Sequence, residues 1–243
     1  MAASGRSVAS ELVVSLQPDF SAGNYGTDTT TRLLETSLNI RLKQDGYGFG
    51  VKLPYLLETG SQAVLAGVGP IGPLQPTEFR HNGGGNVRLS GWVTLWRDND
   101  AGLRLDTTLK VTPPGIPRWQ ALAVGFTRLD LEANLYWTIT PTWDLEVDFG
   151  RRTFIGAPGL GVNNYWYSTI YLTYAVDDRW SVGLSADIQT RSSSTGTPIL
   201  EMGPYVDYEI AEGWRIGAYV YRGFTRDSAN IGGGMTVTRR FRF

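Results

Sequence analysis

Lys52, Arg88, Arg104, Lys110, Arg215, Arg240 and Arg242, and against them Asp130, Glu132, Glu146, Asp148, Asp187, Glu201 and Asp207, recur on the polar phase of stretches whose alternate residues are apolar. So many ionised groups do not fit a dry core unless they are paired or hydrated. The chemistry open to them is electrostatic. Basic and acidic groups facing each other across a constriction set up a transverse field, which orients polar solutes and balances net ion selectivity. In strand order the basic residues gather on the third to fifth strands and again at the closing seam, with the acidic residues opposite; Asp106 and Glu35 are exceptions.

Covalent catalysis has little to draw on. Ser/His chemistry needs a base within hydrogen-bond reach, and the only histidine is His81, beside Asn82 in a long connecting segment. Asp130 and Glu132 alternate along a strand like many other carboxylates here and have no distinctive spacing. Gly83 to Gly85 precede a strand and not a helix, so they are no phosphate-binding loop. The absence of cysteine excludes disulfides, thiolate chemistry and Cys-based zinc sites. A formal charge of -1 lacks the basic excess of a nucleic-acid footprint. The chain is therefore expected not to be an enzyme, and to use no cofactor and no metal. A lipid hydrolase relying on His81 is the enzymatic alternative.

The elements that carry these residues alternate with period two. Strands are predicted over Ser10 to Phe20, Thr31 to Lys43, Tyr47 to Tyr55, Asn86 to Trp96, Gly102 to Thr112, Phe126 to Thr140, Trp143 to Phe154, Tyr165 to Val176, Arg179 to Arg191, Pro198 to Ile210, Trp214 to Phe224 and Gly232 to Phe243. Most are near the roughly 9–11 residues that cross a membrane at a tilt. Connections after even-numbered strands are tight, from Gln44 to Gly46 through Ala211 to Gly213, whereas those after odd-numbered strands are longer, up to Leu57 to Gly85. That asymmetry matches short periplasmic turns and long extracellular loops.

Aromatic residues recur near the tight turns: Tyr47, Trp143, Trp180 and Trp214 just after them, with Trp137 and the terminal Phe243 near the same level. Trp and Tyr favour the headgroup region of a bilayer, which makes these residues a membrane girdle. Eight strands already give a barrel interior just filled by side chains, so about twelve leave a lumen too wide for Val and Leu to close. The polar face must then point inward. Trp92 and Trp96 conflict with this, since both fall on the inward phase of their strand; a bulge or tryptophans in the lumen would each account for them.

The expected fold is all-β, a single antiparallel up-and-down transmembrane β-barrel of about twelve strands over residues 10–243, after a disordered lead-in over residues 1–9. The start, MAASGRSVAS, has neither a basic n-region nor an apolar h-region, so an export signal would have been replaced by an initiator Met.

GNYGTDTTTRLL, VKLPYLLETG, NNYWYSTIYLTYAVDDRWSVGLSADIQTRSSS and AYVYRGFTRDSANIGGG resemble segments of a family of proteobacterial outer-membrane barrels labelled putative transporters, akin to the barrel family named after the phenol-degradation meta pathway. The resemblance runs from about Gly23 to Phe243. It implies fold and location in the outer membrane, and no catalytic residues. The function expected is a monomeric channel in the lipid bilayer for passive diffusion of small polar or amphipathic solutes. The alternatives are a structural barrel, or one plugged by the 57–85 segment.

Overall fold

The computed structural model describes residues 10–25, 28–60, 64–65, 69–70, 79–115, 125–157, 162–193 and 196–243. In chain order the strands are β1 (Glu11–Gly23), β2 (Thr31–Gln44), β3 (Tyr47–Gly60), β4 (Val64–Leu65), β5 (Gly69–Pro70), β6 (Phe79–Gly84), β7 (Arg88–Asp98), β8 (Leu103–Thr112), β9 (Thr127–Thr140), β10 (Trp143–Ile155), β11 (Tyr165–Ala175), β12 (Trp180–Gln189), β13 (Ile199–Ala211), β14 (Trp214–Gly223) and β15 (Ile231–Arg242).

Each wall strand pairs antiparallel with its neighbours in sequence, and β1 pairs with both β2 and β15, so the sheet closes on itself. β6 and β7 both pair with β3 and share one place, which makes the wall twelve strands around. At the seam Glu11 lies opposite Arg242, and Ser10 and Phe243 exchange backbone hydrogen bonds of 3.1 Å. Closure pairs the backbone within the wall, the condition a strand must meet in hydrocarbon, although β6 pairs with β3 alone among the described residues.

The burial pattern is inside out. Thr31, Ser37, Glu35, Asp130, Glu132 and Asn134 are buried, while Leu34, Phe49, Leu131, Leu184, Val220 and Phe241 are exposed. Alternation explains this: in β9, Leu129, Leu131 and Leu135 point out while Asp130, Glu132 and Asn134 point in.

Three departures from the sequence reading have physical causes. The Leu57 to Gly85 connection is partly wall, because β3 continues to Gly60 and β6 pairs with its far half from Tyr55↔Gly84 to Gly60↔Phe79. Its ladder with β7 ends at Lys52↔Arg88, so Leu53 and Pro54 face three residues, 85–87, across an irregularity. Pro54 has no N–H to donate there, although its carbonyl still accepts from Gly85 N at 3.0 Å. The remainder of the segment that the plugged alternative invokes, residues 61–63, 66–68 and 71–78, lies outside the described residues, as does the 1–9 lead-in.

Second, β8 starts at Leu103 because Gly102 sits in the turn at φ +66°, a conformation that favours glycine. Third, both accounts of the two tryptophans hold. β7 and β8 pair as Thr94↔Asp106 and Trp96↔Leu105, so Leu95 is an extra residue and Trp96 is turned out. Trp92, before the bulge, stays inside and covers Gly48 on β3.

Candidate functional site

Along the inner wall the charged residues divide by the company they keep. The buried carboxylates Glu35 on β2, Asp106 on β8 and Asp130 and Glu132 on β9 each have a cation. Lys52 Nζ is 2.5 Å from Glu35 Oε1, Arg104 Nε is 3.2 Å from Asp106 Oδ2, and Lys110 Nζ is 2.5 Å from Glu132 Oε1. Arg152 grips Asp130 at two points, Nε to Oδ1 at 2.6 Å and Nη2 to Oδ2 at 3.1 Å. Asp130 and Glu132, grouped from the sequence with an acidic wall facing the basic one, therefore sit within the basic side as its counter-ions. Register is the reason: Lys110 lies directly across from Asp130, and Asp130 from Arg152.

The other side is different. Asp19, Glu146, Asp148, Asp187, Glu201 and Asp207 form no ion pair among the described residues. Neutral groups hold four of them instead: Asn134 Nδ2 donates to Asp148 at 2.6 Å, Thr169 Oγ1 to Asp187 at 2.7 Å, the Ala229 amide to Glu201 at 2.7 Å, and the Tyr219 hydroxyl to Asp19. All six line one interior cavity of about 600 Å³ together with Tyr171, Tyr205, Tyr219 and Tyr221, and no Lys or Arg among the described residues lines it. A second cavity, of about 330 Å³, is lined by Arg41, Lys43, Arg97, Arg104 and Lys110, with Asp106 and Glu132 among them. Glu146 and Asp148 line both.

Space for these cavities comes from glycine. Tyr205 lies across from Gly183, Tyr167 from Gly150, Tyr219 from Gly234 and Tyr221 from Gly232. In each pair a β-carbon on the glycine would run into the ring, so the ring lies flat against the wall instead of standing in the lumen.

At the closing seam, Arg240 Nε is 3.9 Å from Glu11 Oε1 and Arg242 is exposed. Arg215 lies between Glu209 and Thr238 in register. Arg88, Arg215 and Arg242 make no ion pair among the described residues. His81 is in β6, opposite Glu58 of β3. The aromatic residues near the tight turns are on the outer surface: Tyr47, Trp137, Trp143, Trp180, Trp214 and Phe243 are all exposed. Trp180 stacks on Tyr208 at 4.3 Å, and Arg239 covers Trp214 and Phe241.

The sequence reading passed over Asp19, Arg41, Arg128, Arg152 and the interior tyrosines. Arg152 could have been found, since it shares the phase of Glu146, Asp148 and Gly150, whereas Arg151 points out over Trp166. Asp19 falls inside the strand predicted over Ser10 to Phe20, on the phase of Ser15 and Gln17.

No family model matches the chain, and no curated protein matches it in sequence. Solved structures match it in shape. An outer membrane channel from Pseudomonas putida F1 superposes with a TM-score of 0.67, at 14% identity, over 99% of this chain and 100% of that one. The chain has the fold of an outer-membrane β-barrel. The CymD monoaromatic hydrocarbon channel shares the barrel with a TM-score of 0.51 at 8% identity, over 97% of this chain and 88% of that one. So does the KdgM porin in complex with oligogalacturonate, with a TM-score of 0.52 at 8% identity, over 97% and 99%.

Proposed function

We propose that this chain is an outer-membrane channel through which small polar or amphipathic solutes diffuse passively along a charge-lined lumen. The observation that carries the reading is the pair of adjoining interior cavities, one lined by five cations together with Asp106 and Glu132 and one by carboxylates that form no ion pair among the described residues, meeting at Glu146 and Asp148. A wall built only for stability gains nothing from six carboxylates without counter-ions, because burying charge unpaired is costly. A hydrated passage tolerates them and puts their field to use. The barrels it resembles in shape bear the names of channels and porins.

In this reading the exposed Tyr47, Trp137, Trp143, Trp180, Trp214 and Phe243 are the girdle at the turn end of a bilayer-spanning, monomeric barrel in a bacterial outer membrane. Lys52, Arg88, Arg104, Lys110, Arg215, Arg240 and Arg242 supply the positive side of the field. Its negative side is Glu146, Asp148, Asp187, Glu201 and Asp207, joined by Asp19, while Asp130 and Glu132 neutralise the positive side. Membership of the putative-transporter family akin to the phenol meta-pathway barrels belongs to this proposal, as does the absence of catalysis. The ion-paired basic side favours a second reading, a structural barrel without transport. Conductance across a planar bilayer separates the two: stepwise current supports the channel, and persistent silence from folded protein overturns it.

A further inference from the structure

Three neighbouring strands each present a buried polar atom without a hydrogen-bond partner among the described residues, at one level of the wall on the loop side. They are Arg88 Nε on β7, Thr112 Oγ1 on β8 and Arg128 Nε on β9. Thr112 lies directly across from Arg128, and the adjacent pair Leu89↔Val111 sets Arg88 beside Thr112. All three side chains share the inward phase, since Leu89 and Leu129 alternate with them on the outer face. Thr112 is 5% exposed and Arg128 6%, while Arg88 is half-buried. Buried polar atoms normally find partners, and three adjacent ones that do not, each able to donate, point to an acceptor that completes them.

The local charge says what kind of acceptor. Among the described residues Asp130 is the one carboxylate that forms an ion pair with Arg128, and its Oδ2 is 3.7 Å from Arg128 Nε, too long for a hydrogen bond. Both of its oxygens are taken by Arg152. Lys52 and Lys110, the next cations along the wall, are neutralised by Glu35 and Glu132. Three guanidinium groups, those of Arg88, Arg128 and Arg152, thus stand against one carboxylate. Planar guanidinium edges suit a flat two-oxygen anion, and a threonine hydroxyl adds a third donor.

We infer that Arg88, Thr112 and Arg128 form a binding site for the carboxylate of a small organic acid inside the barrel. The inference rests on the channel reading for its biological sense, naming the solute class that the positive side would hold. A carboxylate docked here directs its remainder toward the lumen, where the field from the basic to the acidic side orients it.

Calorimetric titration of the detergent-folded full chain with succinate at low salt tests the site. Saturable binding is expected, weakened about tenfold or more by Arg88→Gln and by Thr112→Val, as the loss of a charge-assisted or buried hydrogen bond requires. Thr112→Ser should retain the affinity, and so should Arg179→Gln, which removes a charge from an exposed turn. Heat-modifiable migration establishes that each variant is folded. Absence of saturable binding overturns the site, and so does equal affinity in folded Arg88→Gln and Thr112→Val. Inorganic phosphate binding as tightly as succinate overturns the carboxylate assignment. Titration in detergent needs no conduction, so succinate binding without bilayer current would sink the channel and leave the site, and current without binding would do the reverse.

Discussion

Asp130 is fully buried between β9 and β10 and held at two points by Arg152, at 2.6 and 3.1 Å. Removing one partner of such a pair leaves the other charge buried and uncompensated, which costs about 3–5 kcal/mol. Asp130→Asn should lower the unfolding free energy by about that amount, read from the urea midpoint of the barrel folded in vesicles. The exposed Arg97–Asp45 pair, 3.1 Å apart at the turn end, is the contrast. Asp45→Asn should change stability by less than about 1 kcal/mol.

Glycine 183 tests whether the flat tyrosines keep the lumen open. A β-carbon there would overlap the Tyr205 ring and come within 2.5 Å of the Leu172 carbonyl. Gly183→Val should push the ring off the wall into the cavity of about 600 Å³ that Tyr205 lines, and so reduce single-channel conductance. Adding Tyr205→Ala should restore most of it. Unchanged conductance in folded Gly183→Val would show that this cavity is not on the path.

Much of the fold was legible because alternation is a local property. Leu129 to Leu135 of β9 and Leu34 to Leu42 of β2 display their two faces without reference to any other strand. β6, FRHNGG, was not legible, since it joins β3 by backbone pairing and has no apolar alternation. The inner phase of the charged residues can be read one strand at a time, yet their partners depend on register between strands. Asp130 and Arg152 are 22 residues apart, and only the antiparallel alignment of β9 with β10 sets them side by side. The same limit hid the asymmetry between paired and unpaired carboxylates. Trp92 and Trp96 marked the bulge in β7 by breaking the pattern, but the extra residue between them, Leu95, was visible only in the ladder.

Lipid-facing and interior positions should respond oppositely to a charge. Leu184 is 58% exposed on the outer face of β12, and an arginine there should cost about 2–4 kcal/mol if it meets the bilayer midplane. Ser185, its neighbour, lines the acidic interior cavity, so Ser185→Arg should be nearly neutral in stability. Equilibrium folding into vesicles measures both. A penalty on Ser185→Arg alone would contradict the assignment of faces.

Since Glu146, Asp148 and Asp187 form no ion pair among the described residues, they should dominate the ion preference of the lumen. Glu146→Gln, Asp148→Asn and Asp187→Asn combined should move the reversal potential across a KCl gradient toward that of chloride. Glu132, paired with Lys110, is the comparison: Glu132→Gln frees a cation and should shift the potential in the same direction. No shift in either variant would mean that these groups do not face the conducting path.

Single-channel recording of the full chain in a planar bilayer addresses the central claim most directly. Folded protein, identified by a shift in migration on boiling, should insert and give discrete current steps. The steps should be smaller than those of 16- to 18-stranded porins, because channel width grows roughly with strand number. Repeated insertion of folded, heat-modifiable protein without any step in current would contradict the channel and favour the structural barrel.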